Sequence, residues 1–276
     1  MWGQLVLPVA GFFIGIVASM TGVGGGIFIV PLLTGLFGFI PQHAVGTSLA
    51  TIVFTAIASS YSYARQGRIF YRTGLLLAIT TVPGAYAGAY LTTVISPALL
   101  GLIFGGFLFL MSLRMIIERP GEAGPGRPAA SLDSRPARPE SKIQPPRLTD
   151  AELVRSTGKV VLGVSLSFFG GLASGFLGIG GGILGVPILS LGMGLPIHYA
   201  TATSMFTMIW TSLAGVAKHT LAHHVHPHYA VLLAAGTILG AQVGAGFSRR
   251  VSGSALRRIF GLILLAVSLQ MIVRFL

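Results

Sequence analysis

The chain has 276 residues, of which 53% are apolar and 9% charged, against about 25% charged in soluble domains, so it reads as a membrane protein. The net charge of +12 does not call for a nucleic-acid partner, because the basic residues gather in loops and one hydrophilic stretch, as the positive-inside bias expects. There is no cysteine, which removes disulfides and thiol chemistry.

In chain order, residues 4–20 form a first apolar segment. It lacks the basic start of a signal peptide and is read as mature structure. Gly22-Val23-Gly24-Gly25-Gly26 then interrupts the apolar run, and Pro31 follows. Each glycine costs a helix about 1 kcal/mol against alanine. In lipid such a break survives only where it is buried in protein or lines a polar cavity. Residues 27–40 are a short second segment, shorter than the ~20 residues a span needs. Residues 44–64 are a third, with Ser48, Thr51, Thr55 and Ser59 spaced to lie on one helix face. The basic loop Arg65–Arg72 follows, then segments 73–95 and 97–117, both long enough to cross. Residues 118–157 are rich in Pro, Arg, Glu and Ser and read as a flexible, solvated linker.

The second half repeats the first at an offset of 156. Gly178-Ile179-Gly180-Gly181-Gly182 matches the first glycine cluster and Pro187 matches Pro31. Thr47, Ser48, Thr51 and Thr55 match Thr203, Ser204, Thr207 and Thr211. A one-residue slip places His43 opposite His198, each after a proline turn. Charge sets the relation of the halves. Loop 65–72 carries three Arg and loop 94–98 none, whereas 219–228 carries no Arg or Lys and 249–258 carries four Arg. If Lys and Arg mark the cytoplasm, the halves point in opposite directions. The expected architecture is therefore an all-α membrane protein of two inverted repeats, 1–117 and 158–276, joined by a cytoplasmic linker at 118–157. Each repeat has about five helical segments, and the glycine-broken short helices meet near mid-membrane. Paired breaks of this kind point to a transporter's binding site.

All six acids, Glu118, Glu122, Asp133, Glu140, Asp150 and Glu152, lie between residues 118 and 152. Cation carriers and proton pumps normally keep an intramembrane carboxylate, so the substrate is expected to be anionic or neutral. The competing reading is that a lipid-embedded chain simply avoids charge. A membrane enzyme is disfavoured, since no carboxylate dyad, cysteine or Ser/His/Asp set exists within either half.

The candidate substrate-binding residues are Gly24, Gly25, Gly26, Gly180, Gly181 and Gly182, at which an anion can approach backbone N–H groups. The alternative is close helix packing through small residues. The hydroxyls of Thr47, Ser48, Thr51, Thr203, Ser204 and Thr207 can donate to an oxyanion or bond back to their own helices. His43 and His198 offer a switchable charge or are plain interfacial groups. Lys218 is an outer gate for anions or a snorkelling cation. Arg65 and Arg68 attract anions on the inner side or only signal orientation. The tract His219, His223, His224, His226 and His228 has some metal-ligand spacing, but Pro227 breaks the helix and no carboxylate or cysteine completes a site. It is otherwise a pH-sensitive or merely polar outer loop, and no metal or cofactor is assigned.

Two apolar halves, each with GxGGG, a following proline and a downstream Thr-Ser pair, resemble the TauE/SafE family of sulfite exporters, also called the 4-toluene sulfonate uptake permease family. The resemblance implies a multi-pass carrier of the bacterial cytoplasmic (inner) membrane for small sulfur-containing anions such as sulfite or an organosulfonate. The expected partners are that anion and the lipid bilayer, and a homodimer is compatible. Alternating access is the expected mechanism. Export is favoured, because uptake needs a coupled ion and no carboxylate stands ready to bind one. The rival function is a divalent-metal transporter or sensor using the 219–228 tract.

Overall fold

The computed structural model describes residues 2–117, 149–155, 157–248, 265 and 268–273. Among these the chain is helical, with no strand. The first half forms α1 (Trp2–Thr21), α2 (Gly26–Gly35), α3 (Pro41–Arg65), α4 (Tyr71–Val94) and α5 (Pro97–Ile117). After α6 (Asp150–Arg155) come α7 (Thr157–Leu177), α8 (Gly182–Pro187), a π-helical turn (Ile188–Gly192), α9 (Ile197–Leu221) and α10 (Pro227–Phe247). Four helices, Pro41–Arg65, Tyr71–Val94, Val160–Leu177 and Pro227–Phe247, are long and apolar enough to cross a membrane among the described residues. The chain is an all-α membrane protein.

Local sequence accounts for the boundaries. Pro41 and Pro227 open α3 and α10, where a missing N–H costs nothing. Gly22 and Gly178 take positive φ (77° and 70°) and stop α1 and α7. The offset of 156 maps Pro41–Arg65 onto Ile197–Leu221 end to end. In this register Tyr199, not His198, stands opposite His43. The expected pairing of the two histidines therefore fails, because α9 begins after Pro196 without the one-residue slip.

The halves interlock by exchanging partners. α1 lies along α10 and α7 lies along α4, while α3 and α9 cross at the centre. Small residues permit the close approach: a Cβ on Gly15 would strike the carbonyl oxygen of Thr237, and one on Gly171 that of Thr81. The two contacts are the same contact repeated, since 15/171 and 81/237 are offset equivalents. The main core gathers around Leu49, Ile52, Met205 and Met208 on α3 and α9.

The hydrophilic stretch is ordered at its end. Thr149 and Glu152 cap α6 reciprocally: the Glu152 carboxylate accepts from the Thr149 N–H (2.8 Å) and hydroxyl (2.9 Å). Leu153 is buried. Asp150 accepts hydrogen bonds from the N–H groups of Arg72 (2.8 Å) and Thr73 (3.0 Å) at the start of α4. The expectation of a flexible linker thus gives way at 150–155, while 118–148 and the arginine-bearing 249–258 lie outside the described residues.

Candidate functional site

The two glycine breaks meet at the centre. A Cβ on Gly26 would collide with the backbone of Gly178 and Ile179, and one on Gly182 with the backbone of Gly22 and Val23. Gly24 and Gly180 lie against Met208, and Gly180 also against Ile52, near the midpoints of α9 and α3. The last residue of each break, Gly25 (φ 88°) and Gly181 (φ 90°), is the left-handed N-cap of the following short helix. The breaks are therefore joined, as the sequence predicts. Gly26 and Gly182 serve the crossing of the two breaks, and neither lines the cavity described next.

Beyond the crossing the breaks differ. The side chains of Ile14, Ala18 and Ile29 pack on the open face of Gly25. At Gly181 the nearest atoms on the same face belong to Ser174 and Thr211, no nearer than 3.5 Å. A small cavity of about 20 Å³ lies there, enough for one or two waters. Its wall is mostly apolar, with Leu77, Ile188, Leu189 and Met208 beside Gly180 and Gly181, and its hydroxyl-bearing residues are Thr81, Ser167, Ser204, Thr207 and Thr211. Ser174 is buried, and its hydroxyl makes no hydrogen bond among the described residues. Its own carbonyl already accepts from the N–H groups of Gly178 (2.8 Å) and Ile179 (3.3 Å).

Most of the predicted hydroxyls are committed elsewhere. Ser48 donates to the Gly178 carbonyl (2.9 Å) and Ser204 to the Gly22 carbonyl (3.4 Å), so each half ties the break of the other. Thr47 accepts the His226 N–H (3.1 Å), and Thr203 accepts the Phe70 N–H (3.0 Å). Thr51 bonds back to the Thr47 carbonyl (3.1 Å). Thr207 donates to Thr203 (3.1 Å) or Gly74 (3.2 Å), and Thr211 to Thr81 (3.0 Å) or Thr207 (3.1 Å). Of the predicted substrate residues, the cavity brings together Gly180, Gly181, Ser204 and Thr207. Gly24, Gly25, Gly26, Thr47, Ser48, Thr51, Gly182, Thr203, His43 and His198 are not in its wall. Sequence reasoning missed Ser174, Thr81 and Ser167, and noticed Thr211 only as part of the repeat.

The charged candidates also lie off the cavity. Lys218 sits over the ring of Tyr90, 4.8 Å from its centroid, as a snorkelling cation would. Arg65 is exposed beside Tyr61. Arg68 is buried, stacks over Tyr63 at 5.1 Å, and donates to Gln66 and to Ser248 (3.2 Å). His198 is half-buried in the first turn of α9.

The histidine tract does not form a metal centre. Among the described residues no three His, Cys, Asp or Glu side chains are placed to hold an ion. His43 Nδ1 and His226 Nε2 are 2.6 Å apart, closer than the roughly 3.3 Å between two nitrogens bound to one zinc at tetrahedral geometry. They share a hydrogen instead.

Comparison with known proteins agrees with this architecture. The family described as "Sulfite exporter TauE/SafE" matches residues 7–271. The "Probable membrane transporter protein YunE" of Bacillus subtilis is 32% identical over 97% of each chain. "Probable membrane transporter protein YdhB" of the same organism is 31% identical over 86% of this chain and 87% of its own. A transporter of the same description from Methanocaldococcus jannaschii is 27% identical over 97% and 96%. No solved structure matches the chain. With its helices, its joined glycine breaks and this match over nearly its whole length, the chain belongs to the TauE/SafE sulfite exporter family of multi-pass membrane transporters.

Proposed function

We propose that the protein is a carrier for a small sulfur oxyanion or organosulfonate and that the cavity beside Gly180 and Gly181 is its binding site. The observation that carries this reading is the cavity at the bare backbone of Gly180 and Gly181, where Thr81, Ser167, Ser204, Thr207 and Thr211 come together; the buried Ser174 hydroxyl, without a hydrogen bond among the described residues, stands beside Gly181 and is not itself part of that wall. A buried donor left without a partner costs about 1–3 kcal/mol, and an oxyanion would satisfy it. Neutral donors suit a transported anion, since they bind it without the grip of a fixed cation. The family's description supports the sulfur chemistry.

Room for one or two waters does not admit such an anion, so binding requires the cavity to widen. Alternating access then requires the two halves to move about the crossing of the breaks. Inverted repeats suit that motion. The exchange of partners between α1/α10 and α7/α4 and the opposite loop charges of the halves favour them. The membrane potential contributes ~2.3 kcal/mol per charge per 100 mV to anion export, and neither half has a carboxylate to bind a driving cation.

Counterflow in proteoliposomes tests the substrate class, with sulfite, thiosulfate, sulfate, sulfoacetate, taurine and acetate each loaded inside. Saturable exchange of sulfite or a sulfonate, with acetate inert, is the expected result. Unsaturable flux would indicate a channel, and exchange of none of the sulfur compounds would remove the assignment.

A further inference from the structure

At the end of α3 opposite Arg65 and Arg68, four imidazoles drawn from three parts of the chain form a continuous group. His43 is in the first turn of α3, His219 in the last turn of α9, and His224 and His226 in the segment leading to α10. His43 Nδ1 is 2.6 Å from His226 Nε2, and His219 Nδ1 is 3.4 Å from His224 Nδ1. The rings of His43 and His224 are 5.2 Å apart and join the two pairs. His219 Nε2 lies 3.5 Å from the Gly175 carbonyl oxygen. His219 is fully buried, while the other three are half-buried and reach the surface.

Partners fix the tautomers of the buried pair. His219 Nε2 faces a carbonyl and must carry hydrogen. Its Nδ1 is then an acceptor, so His224 donates from Nδ1. A further proton on His219 would set two N–H groups against each other. An added proton therefore goes to the outer nitrogens, above all to the His43–His226 pair. There it converts a neutral hydrogen bond into a charge-assisted one without breaking contact.

Among the described residues no carboxylate stands ready to balance that charge. The titratable and charged groups facing this end, among the described residues, are Lys218 on α9, Tyr90 on α4, His223, His228 and Tyr229. None is a carboxylate, and every acid of the chain lies between residues 118 and 152. Burial, and to a lesser extent His223, holds His224 below the ordinary imidazole range, so its ring takes up a proton only on acidification.

The repeat supplies a comparison at the other end. At the offset of 156, His219 and His224 correspond to Tyr63 and Arg68. Tyr63 donates to the Ser19 carbonyl (2.6 Å) as His219 faces the Gly175 carbonyl, and Ser19 and Gly175 are themselves equivalent. Arg68 stacks on Tyr63 where His224 stands beside His219. One end thus keeps a permanent cation where the other keeps a group that is cationic only when it takes up protons.

We propose that His43, His219, His224 and His226 form a proton-binding site which, once loaded, binds a small inorganic anion at the end of the bundle opposite Arg68. The site is separate from the cavity, and it adds a proton-dependent anchorage to one mouth of the carrier. At neutral pH on that side a departing anion is not held. On acidification it is, and binding from that side strengthens.

Binding linkage tests this without any transport. If the protonated form binds anions, then adding anion must draw protons onto the protein. Purified protein in weakly buffered solution near pH 6 is given sulfate, which stays fully ionised there, and an indicator dye follows the free proton. The expected result is uptake approaching one proton per chain, lost in His226→Gln and in His224→Gln and retained in Gly170→Ile, which fills the cavity. Chloride at the same ionic strength should give less than a third of the effect. No uptake by the wild type, equal uptake with chloride, or unchanged uptake in both histidine variants would overturn the site. Loss of uptake in Gly170→Ile would also overturn it, by placing the linkage in the cavity. Failure of every sulfur anion to exchange in counterflow, with proton uptake intact, would remove the proposed transport function and leave this site standing.

Discussion

The two glycine breaks have nearly the same sequence and the same backbone, yet among the described residues the cavity lies at one of them and packed side chains at the other. Gly25 and Gly181 share a left-handed φ near 90°, and the hydroxyl sets on α3 and α9 repeat residue for residue. The difference lies in three positions around them. Ile14, Ala18 and Ile29 cover Gly25, and at the offset of 156 these become Gly170, Ser174 and Gly185. Two isoleucines are replaced by glycines and one alanine by a serine, so the same scaffold changes from a plugged contact to a small hollow. A duplicated fold can thus keep two equal crossings for structure and reserve one of them for a ligand.

The comparison breaks most severely if the shared crossing is disturbed. Gly26→Ala and Gly182→Ala each press a methyl onto the backbone of the opposite break, where no side chain can yield. Each is expected to cost about 3 kcal/mol, at the upper end for overpacking, read as lost folded protein by thermal unfolding in detergent. Equal tolerance of both would show that the breaks do not touch.

The asymmetry next predicts opposite responses at equivalent positions. Ile14→Ala empties the plug and should lower stability by about 3 kcal/mol. Gly170→Ala has only ordinary contacts around its new methyl, Leu184 at 3.5 Å and Ile188 at 3.7 Å, and should raise stability by up to about 1 kcal/mol as a helix-interior glycine replacement. The same unfolding assay reads both, and a shared sign would contradict the packing described. Gly170→Ile goes further and imports the plug. It should reduce sulfite counterflow at least tenfold, about 1.4 kcal/mol, with folded protein still present in the membrane.

The smallest effect is the most specific. Ser174→Ala removes the unpartnered hydroxyl, so it should not lower stability. It should weaken anion binding by about 1 kcal/mol, a roughly fivefold rise in Kd. A loss of stability with unchanged affinity would mean that Ser174 serves packing alone.

Much of this was legible in the sequence. The offset of 156 and the meeting of the breaks follow from glycine placement, which acts locally on the backbone, whereas α3 opens at Pro41, before the expected residue 44, and α10 at Pro227, which in the sequence reads only as a helix breaker. The inequality of the breaks was not legible, though its residues were in view. Ile14, Ala18 and Ile29 lie on two helices, and only packing shows that they converge on one glycine. Thr47, Ser48, Thr203 and Ser204 looked like ligand donors because hydroxyls in lipid need partners. Their partners turned out to be backbone groups of the loops and breaks, which pattern alone does not locate. His43 was paired in sequence with His198, whereas its contact is His226, 183 residues away. A distance of that kind is decided by how the halves interlock.

The most direct test of the central claim is to locate an anion with a heavy centre. Selenite resembles sulfite in shape and charge, and its anomalous scattering marks its position in crystals grown with it. The cavity account predicts a single strong peak within hydrogen-bonding reach of Ser174 beside Gly180 and Gly181, and none on the plugged face of Gly25. A peak at Gly25, or an ordered anion elsewhere in the membrane core with the cavity at Gly180 and Gly181 left empty, would contradict it.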